Sequence, residues 1–320
     1  MISYAQNAED VVLRRVFAER RQGFYVDVGA SDPIEDSVTC HFYDHGWSGV
    51  NVEPSPREYG ELSNARRRDV NLNVAIGVGA GPVTFYTSST RGQGTLDSHL
   101  AMQRAESSIE VPLVPLGRVL ADHVPDGGVD FLKVDVEGWE EKVVASTDWE
   151  TVRPRVVVVE AVDVEGEPTQ ESWEPTLLAA SYRLGLFDGL NRFYCREEDA
   201  DELLPRLSAP ANVLDNWRRA VELRVQEALE ERLAGEQAAH SETRRGLEAE
   251  RNAHAATRAG LAAERIAHAR TRAALDAEQV ARAGTEAVLA DIRTSTSWRV
   301  TAPMRDASRL VRLMRSGSAR

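Results

Sequence analysis

The stretch from Phe24 to Pro54, FYVDVGASDPIEDSVTCHFYDHGWSGVNVEP, constrains the fold more than any other part of the chain. It opens on an apolar, β-prone run, Phe24 to Val28, that breaks at Gly29-Ala30-Ser31, so it reads as a buried strand entering a tight turn. A helix-compatible segment follows, and then a second short strand from Gly49 that closes on the acid Glu53. Strand, small-residue turn, helix and acid-ended strand form the first half of a nucleotide-binding α/β unit. Gly29 and Ala30 would let backbone N–H groups approach a ligand, and Glu53 can accept both hydroxyls of a ribose. The turn lacks the glycine fingerprint of dinucleotide binders, because Asp32, Pro33 and Ile34 stand where further glycines belong. A crowded, acidic turn suits a pyrophosphate badly and a cationic ligand better. S-adenosylmethionine, with a sulfonium, an ammonium and no phosphate, meets that demand. The bland alternative is an ordinary strand–turn–helix joint with no ligand.

Composition divides the 320 residues into a domain and an appendage. Beyond Cys195 the only aromatics are Trp217 and Trp298, so the first part can bury a full core while the rest is rich in Ala, Arg and Glu. Residues 1–210 hold 19 Lys and Arg against 36 Asp and Glu, a net of -17; residues 211–320 hold 19 against 15, a net of +4. An acidic domain argues against nucleic acid as a substrate. The two cysteines, Cys40 and Cys195, have no zinc-site or disulfide spacing and read as core thiols of a reducing cytosol. No signal peptide or membrane span is expected, so the expected location is cytoplasmic.

Val11, Val12, Val16 and Phe17 sit at helical spacing, with Gln6, Asn7, Glu9 and Asp10 as cap and surface residues of that first helix. Asn71 to Gly77 reads as a third strand and Val83 to Thr87 as its antiparallel hairpin partner. Residues 88–108 form a long polar loop, of the kind that usually carries function. Ile109 to Val114 and Val129 to Val134 return to strand. Val156 to Val159, closing on Glu160, is apolar enough to be a central strand buried on both faces. Arg183 to Phe187 and Arg192 to Cys195 read as a strand pair around a Gly-containing turn.

From about Asp215 one long helix begins. Leu233, Leu247, Leu261, Leu275 and Leu289 recur every fourteen residues, two heptads apart, as in a thin coiled coil. His254 and His268 fall on alternate heptads as solvated face residues. Ser295-Thr296-Ser297 interrupts the helix, and a basic amphipathic tail follows, with seven Arg against one acid over residues 293–320. The tail fits either a partner protein or the anionic face of a membrane.

In an open α/β sheet, ligands bind outside the carboxyl ends of the strands. Those ends collect Asp27, Glu53, Asp135, Glu137 and Glu160, a set suited to hydroxyls, amines and a sulfonium. Asp135, beside the proposed sulfonium, or Glu137 could take a proton from a substrate hydroxyl. For Glu137 an equal alternative is a helix N-terminal acid favoured by the macrodipole.

The segments SYAQNAEDVVL, FYVDVGASDP, FYDHGWSGVNVEPSP, NVAIG, TLD at Thr95 to Asp97, DFLKVDVEGWE and FDGLNRFYC together resemble the FkbM family of S-adenosylmethionine-dependent methyltransferases, over roughly residues 3–215. The resemblance implies a Rossmann-like class I methyltransferase sheet and methyl transfer to oxygen, on sugar hydroxyls of surface glycans or hydroxyls of secondary metabolites. It places Asp27, Gly29 and Ala30 at the methionine end of the cofactor, Glu53 at the ribose, and Asn73 and Ala75 beside the adenine, with Ser31 and Pro54 also among the cofactor-binding residues. Asp135 and Glu137 would face the transferred methyl, with no metal in the site. Many relatives carry Asn and Gly where this chain has Ser31 and Asp32. STSWRVTAPMR is similar to a segment found after coiled coils in bacterial glycan-biosynthesis proteins.

The expectation is an α/β methyltransferase domain over 1–210, a helical coiled coil over 211–292 and a basic tail over 293–320. The expected activity is O-methylation of a sugar hydroxyl in polysaccharide or glycolipid assembly. Expected partners are a sugar or small-molecule acceptor, and a second copy or a glycan-assembly protein along the coiled coil. A catalytically inactive scaffold that recruits such proteins is the rival. A nicotinamide-dependent oxidoreductase is disfavoured by the missing glycines.

Overall fold

Runs such as VVVV before Glu160 are apolar at every position, so they can satisfy both their backbone and their side chains only between two covered faces. The computed structural model, which describes residues 1–104, 106–163 and 165–316, places them there. Seven strands form the main sheet: β1 Phe24–Val28, β2 Ser48–Val52, β3 Val70–Leu72, β4 Phe131–Val134, β5 Val156–Glu160, β6 Tyr182–Phe187 and β7 Asn191–Arg196. Their spatial order is β6-β7-β5-β4-β1-β2-β3. The five strands from β3 to β5 run parallel, and β7 lies antiparallel between β5 and β6. This is the expected Rossmann-like α/β sheet.

Alternation decides which side chain goes to which face. Val26, Val28, Leu132, Val134, Val157 and Val159 enter one core. Tyr25, Phe131, Val156, Val158 and Phe193 enter the other, against Val12, Leu13 and Val16 of the helix Glu9–Val16. Each fully buried large apolar side chain contributes about 1.5–3 kcal/mol. Both cysteines are free and buried, with burial pushing both thiols up, to about 11 for Cys40 and about 12 for Cys195.

Four expectations change. Asn71 to Gly77 is not one strand: it splits into β3 and a two-residue strand, Ala75–Ile76, in a separate three-stranded sheet. There Gly81–Thr87 pairs antiparallel with Ser107–Val114, not with residues 71–77. The 88–108 loop carries a short helix, Ser98–Arg104, started by Asp97, whose carboxylate accepts from the N–H groups of His99 and Leu100 at 2.6 and 3.2 Å. Glu9 and Asp10 are not surface residues but are 2% and 0% exposed. Glu9 accepts from the Asn7 N–H at 2.9 Å and from Asn191 Nδ2 at 2.7 Å, and Asp10 from Ser3 Oγ at 2.6 Å and the Tyr4 N–H at 2.8 Å.

The chain divides into two units, Met1–Leu229 and Glu230–Arg320. The first includes a two-stranded pairing in which Ile2 and Ser3 lie parallel to Arg218 and Arg219. A 75-residue helix, Ala220–Thr294, follows. In it Thr243, Thr257, Thr271 and Thr285 each donate Oγ1 to the carbonyl four residues back, so the fourteen-residue repeat recurs as structure. Ser295 ends this helix and caps the next, Thr296–Val300, by accepting from the Trp298 N–H; a last helix spans Ala302–Ser316. Among the described residues no helix is long and apolar enough to cross a membrane.

Candidate active site

Parallel strands leave their carboxyl ends on one edge, and the register sets the acids there side by side. Asp27 of β1 lies level with Lys133 of β4 and Asn51 of β2. A cleft of about 360 Å³ opens over this edge. Asp27, Gly29, Ala30, Ser31, Glu53, Pro54, Ala75, Asp135 and Glu137 all line it. Asn73 does not. Its Nδ2 donates to the Glu53 and Pro54 carbonyls, both at 2.9 Å, so the side-chain amide holds the loop that carries Glu53 and has both its N–H groups engaged.

The turn after β1 is built differently from the expectation. Gly29 has φ +87°, and a Cβ there would lie 1.8 Å from the Asp135 carbonyl oxygen, so only glycine fits. The N–H groups of Gly29 and Ala30 do not reach toward a ligand. Both donate to the Val52 carbonyl, at 3.0 and 3.1 Å, and the Ser31 N–H donates to Glu53 Oε2 at 2.9 Å. The turn therefore spends its donors on β2 and its acid, as a site for a cation can and a phosphate cradle cannot.

Glu53 is fixed from both sides, since Ser55 N–H donates to Oε1 at 2.8 Å. Each oxygen keeps a further lone pair. Burial pushes its carboxyl up to about 7, against the lowering effect of those two N–H groups. Asp27 is buried as well, and its pKa is raised by that burial although Lys133 and Thr39 pull it down. Thr39 Oγ1 donates to Oδ2 at 3.1 Å, while Oδ1 has no hydrogen-bond partner among the described residues. Lys133 Nζ lies 3.0 Å from Asp135 Oδ2 and 3.8 Å from Asp27 Oδ1. Burial would lower the lysine's pKa, but the carboxylates of Asp135 and Asp27 outweigh it and hold the pKa raised.

The segment after β4 turns sharply, with Glu137 at φ +53° and Gly138 at φ +90°. Two neighbours hold it. Thr95 Oγ1 donates to the Glu137 carbonyl at 2.8 Å, and buried Glu140 accepts from the N–H groups of Val136 and Gly138 at 3.1 and 3.3 Å. Neither role was apparent from the sequence, although a turn with exposed N–H groups followed by an acid is the signal that could have shown the second. Asp135, Glu137 and Glu160 offer carboxylate oxygens within 4.8 Å of one another. Burial first, and then the charges of Asp135, Glu137 and Glu140, push the Glu160 carboxyl far above the usual range. These three are placed as the ligands of a metal ion could be.

The long loop supplies a wall. Arg91 pairs with Asp32 and, at 2.7 Å, with Glu61, which ties the loop to the β1 turn and to the helix Pro56–Ala65. Both cationic side chains among the described lining residues, Arg91 and Lys133, are thus engaged by two carboxylates each.

Residues 27–184 match the family model of the methyltransferase FkbM domain. This chain carries an FkbM methyltransferase domain. Methyltransferases of the FkbM family take their methyl group from S-adenosylmethionine, and the residues present fit it. Asp27 Oδ1, 3.8 Å from Lys133 Nζ but without a hydrogen-bond partner among the described residues, offers an acceptor for an ammonium, and Glu53 offers two lone pairs for ribose hydroxyls. No curated protein matches the sequence. Among solved structures the chain is similar to a TehB-like SAM-dependent methyltransferase from Corynebacterium glutamicum, at 8% identity, TM-score 0.33, covering 58% of this chain and 88% of that one. It is also similar to a precorrin-6Y C5,15-methyltransferase from Geobacter metallireducens, at 13% identity and TM-score 0.35, covering 60% and 89%. A third is the Burkholderia thailandensis 1,6-didemethyltoxoflavin-N1-methyltransferase with bound 1,6-didemethyltoxoflavin and S-adenosylhomocysteine, at 10% identity and TM-score 0.32, covering 60% and 79%.

Proposed function

We propose that the FkbM domain methylates a hydroxyl oxygen, on a sugar of a surface polysaccharide or glycolipid, with Asp135 as the proton acceptor. The observation that carries this reading is the charge of the cleft. Its acids are many and its two cations are already paired, so it favours a neutral, hydroxyl-rich acceptor over a phosphorylated one. S-adenosylmethionine supplies an electrophilic methyl group and leaves as S-adenosylhomocysteine. Asp27 and Glu53 hold its ammonium and its ribose. Asp135, anchored through Oδ2 by Lys133, orients the acceptor hydroxyl and takes its proton as the oxygen gains the methyl group, giving a methyl ether. Positioning of the two reactants supplies most of the acceleration. The long helix pairs with a second copy or a glycan-assembly protein, and the basic tail meets a partner or an anionic membrane face.

The test is S-adenosylhomocysteine release with a panel of neutral and phosphorylated sugars, with mass analysis of the sugar product. Neutral sugars should be methylated on oxygen, and Asp135→Asn should lower turnover about 10²–10⁴-fold. Methylation at nitrogen, preference for phosphorylated sugars, or unchanged turnover of Asp135→Asn would refute the corresponding part.

A further inference from the structure

The SYAQNAED segment contributes to the cleft, and what holds it there comes from the far end of the unit. Gln6, Glu35 and Asp36 line the cleft's rim. A parallel β-bridge joins Ala5 to Asp36, so the two rim segments are stitched together. The next contacts are made by residues at and just before the first turns of the long helix. Ile2 and Ser3 pair with Arg218 and Arg219. The Arg219 guanidinium donates to the Gln6 carbonyl, and Arg224 Nη1 lies 3.2 Å from Glu35 Oε1. The preceding segment is anchored in turn. Arg15 bonds the carbonyls of Arg206 and Ala209 and pairs with Asp215 at 3.0 Å.

We infer that Arg219 and Arg224 are positioning residues for the rim of the active-site cleft. They fix Gln6 and Glu35 where these line the cleft, so the site is complete only when the root of the long helix is docked. Both groups of the Arg224–Glu35 pair are about half exposed, and a pair of that kind contributes little to global stability. Its effect is therefore local. Ligand held in the cleft and order at the helix root should favour each other reciprocally.

Hydrogen exchange on the full-length protein tests this, with and without S-adenosylhomocysteine, in wild type, in Arg219→Ala/Arg224→Ala and in Arg219→Lys/Arg224→Lys. In the alanine variant, residues 4–8 and 33–38 should exchange about tenfold faster through local opening, with β1, β4 and the melting temperature unchanged. The lysine variant should recover much of the protection. In wild type, S-adenosylhomocysteine should slow exchange at the rim and over residues 218–224 together; in the alanine variant the slowing at 218–224 should vanish. Unchanged exchange at the rim of the alanine variant overturns the inference. So does faster exchange spread over the whole unit with a lower melting temperature, which would give the two arginines a general stabilising role. If wild type fails to bind S-adenosylhomocysteine, the methyltransferase reading fails, while the ligand-free comparison still decides the rim.

Discussion

With Glu53 on the cofactor ribose, as proposed, cofactor affinity should depend on pH. Its carboxyl is buried and pushed up to about 7, with one N–H on each oxygen. Ribose hydroxyls donate to lone pairs, and a proton on either oxygen removes a lone pair and puts a donor in its place. Affinity should therefore follow the ionised fraction of Glu53. With a midpoint of about 7, that fraction is roughly one-eleventh at pH 6 and ten-elevenths at pH 8. S-adenosylhomocysteine should bind about tenfold tighter at pH 8 than at pH 6, a difference of about 1.4 kcal/mol. Titration calorimetry at pH 6, 7 and 8 measures it. Glu140 has the same midpoint, so the assignment rests on Glu53→Gln, which should bind weakly with a much flatter pH dependence. Glu53→Ala should lose at least about tenfold at pH 8. A wild type with no pH dependence, or a Glu53→Gln variant that keeps the full slope, would refute the reasoning.

Gly29→Ala should cost several kcal/mol, because it combines a positive φ with a Cβ 1.8 Å from the Asp135 carbonyl; an unchanged denaturant midpoint would show that the turn can relax. The ligand-free protein should lose stability as pH rises from 5 to 8. Glu9, Glu53 and Glu140 have folded values of about 7 against about 4.5 when unfolded, all through burial, so their contribution is complete below 4.5 and lost through 7. A melting temperature that rises over this interval would contradict it. Light scattering on the full-length protein should give a mass at least twice that of one chain, and a monomer would leave the fourteen-residue repeat without a second copy.

Three of the strand-end acids were legible because each closes a run with the pattern of a buried strand: Glu53 after Val50-Asn51-Val52, Asp135 after Phe131 to Val134, and Glu160 after Val156 to Val159; Asp27 sits inside its strand, between Val26 and Val28. What the sequence hid was where donors and acceptors end. The Gly29 and Ala30 N–H groups look free in a glycine turn, but β2 ends beside them and takes both. Glu9 looks like a first-turn surface acid, yet its partner Asn191 lies 182 positions away. The break at Asn73 was invisible for a similar reason, since Ala75 and Ile76 take their sheet partners from residues 113 and 114. Local pattern reports which residues are buried, and long-range pairing reports against what.

The pairing of Ile2 and Ser3 with Arg218 and Arg219 also sets an order of events during synthesis. Gln6 and Arg219 are 213 positions apart. At roughly 5–20 residues per second, the first residues of this unit wait on the order of ten seconds or more for the partner strand. The seven strands of the main sheet have all been made by then, while residues 1–8 still lack their last contact. The rim of the cleft is thus the final piece of the domain to be set. A released chain cut between β7 and Arg219 would hold every strand of the main sheet and leave the mouth of the cleft unfinished.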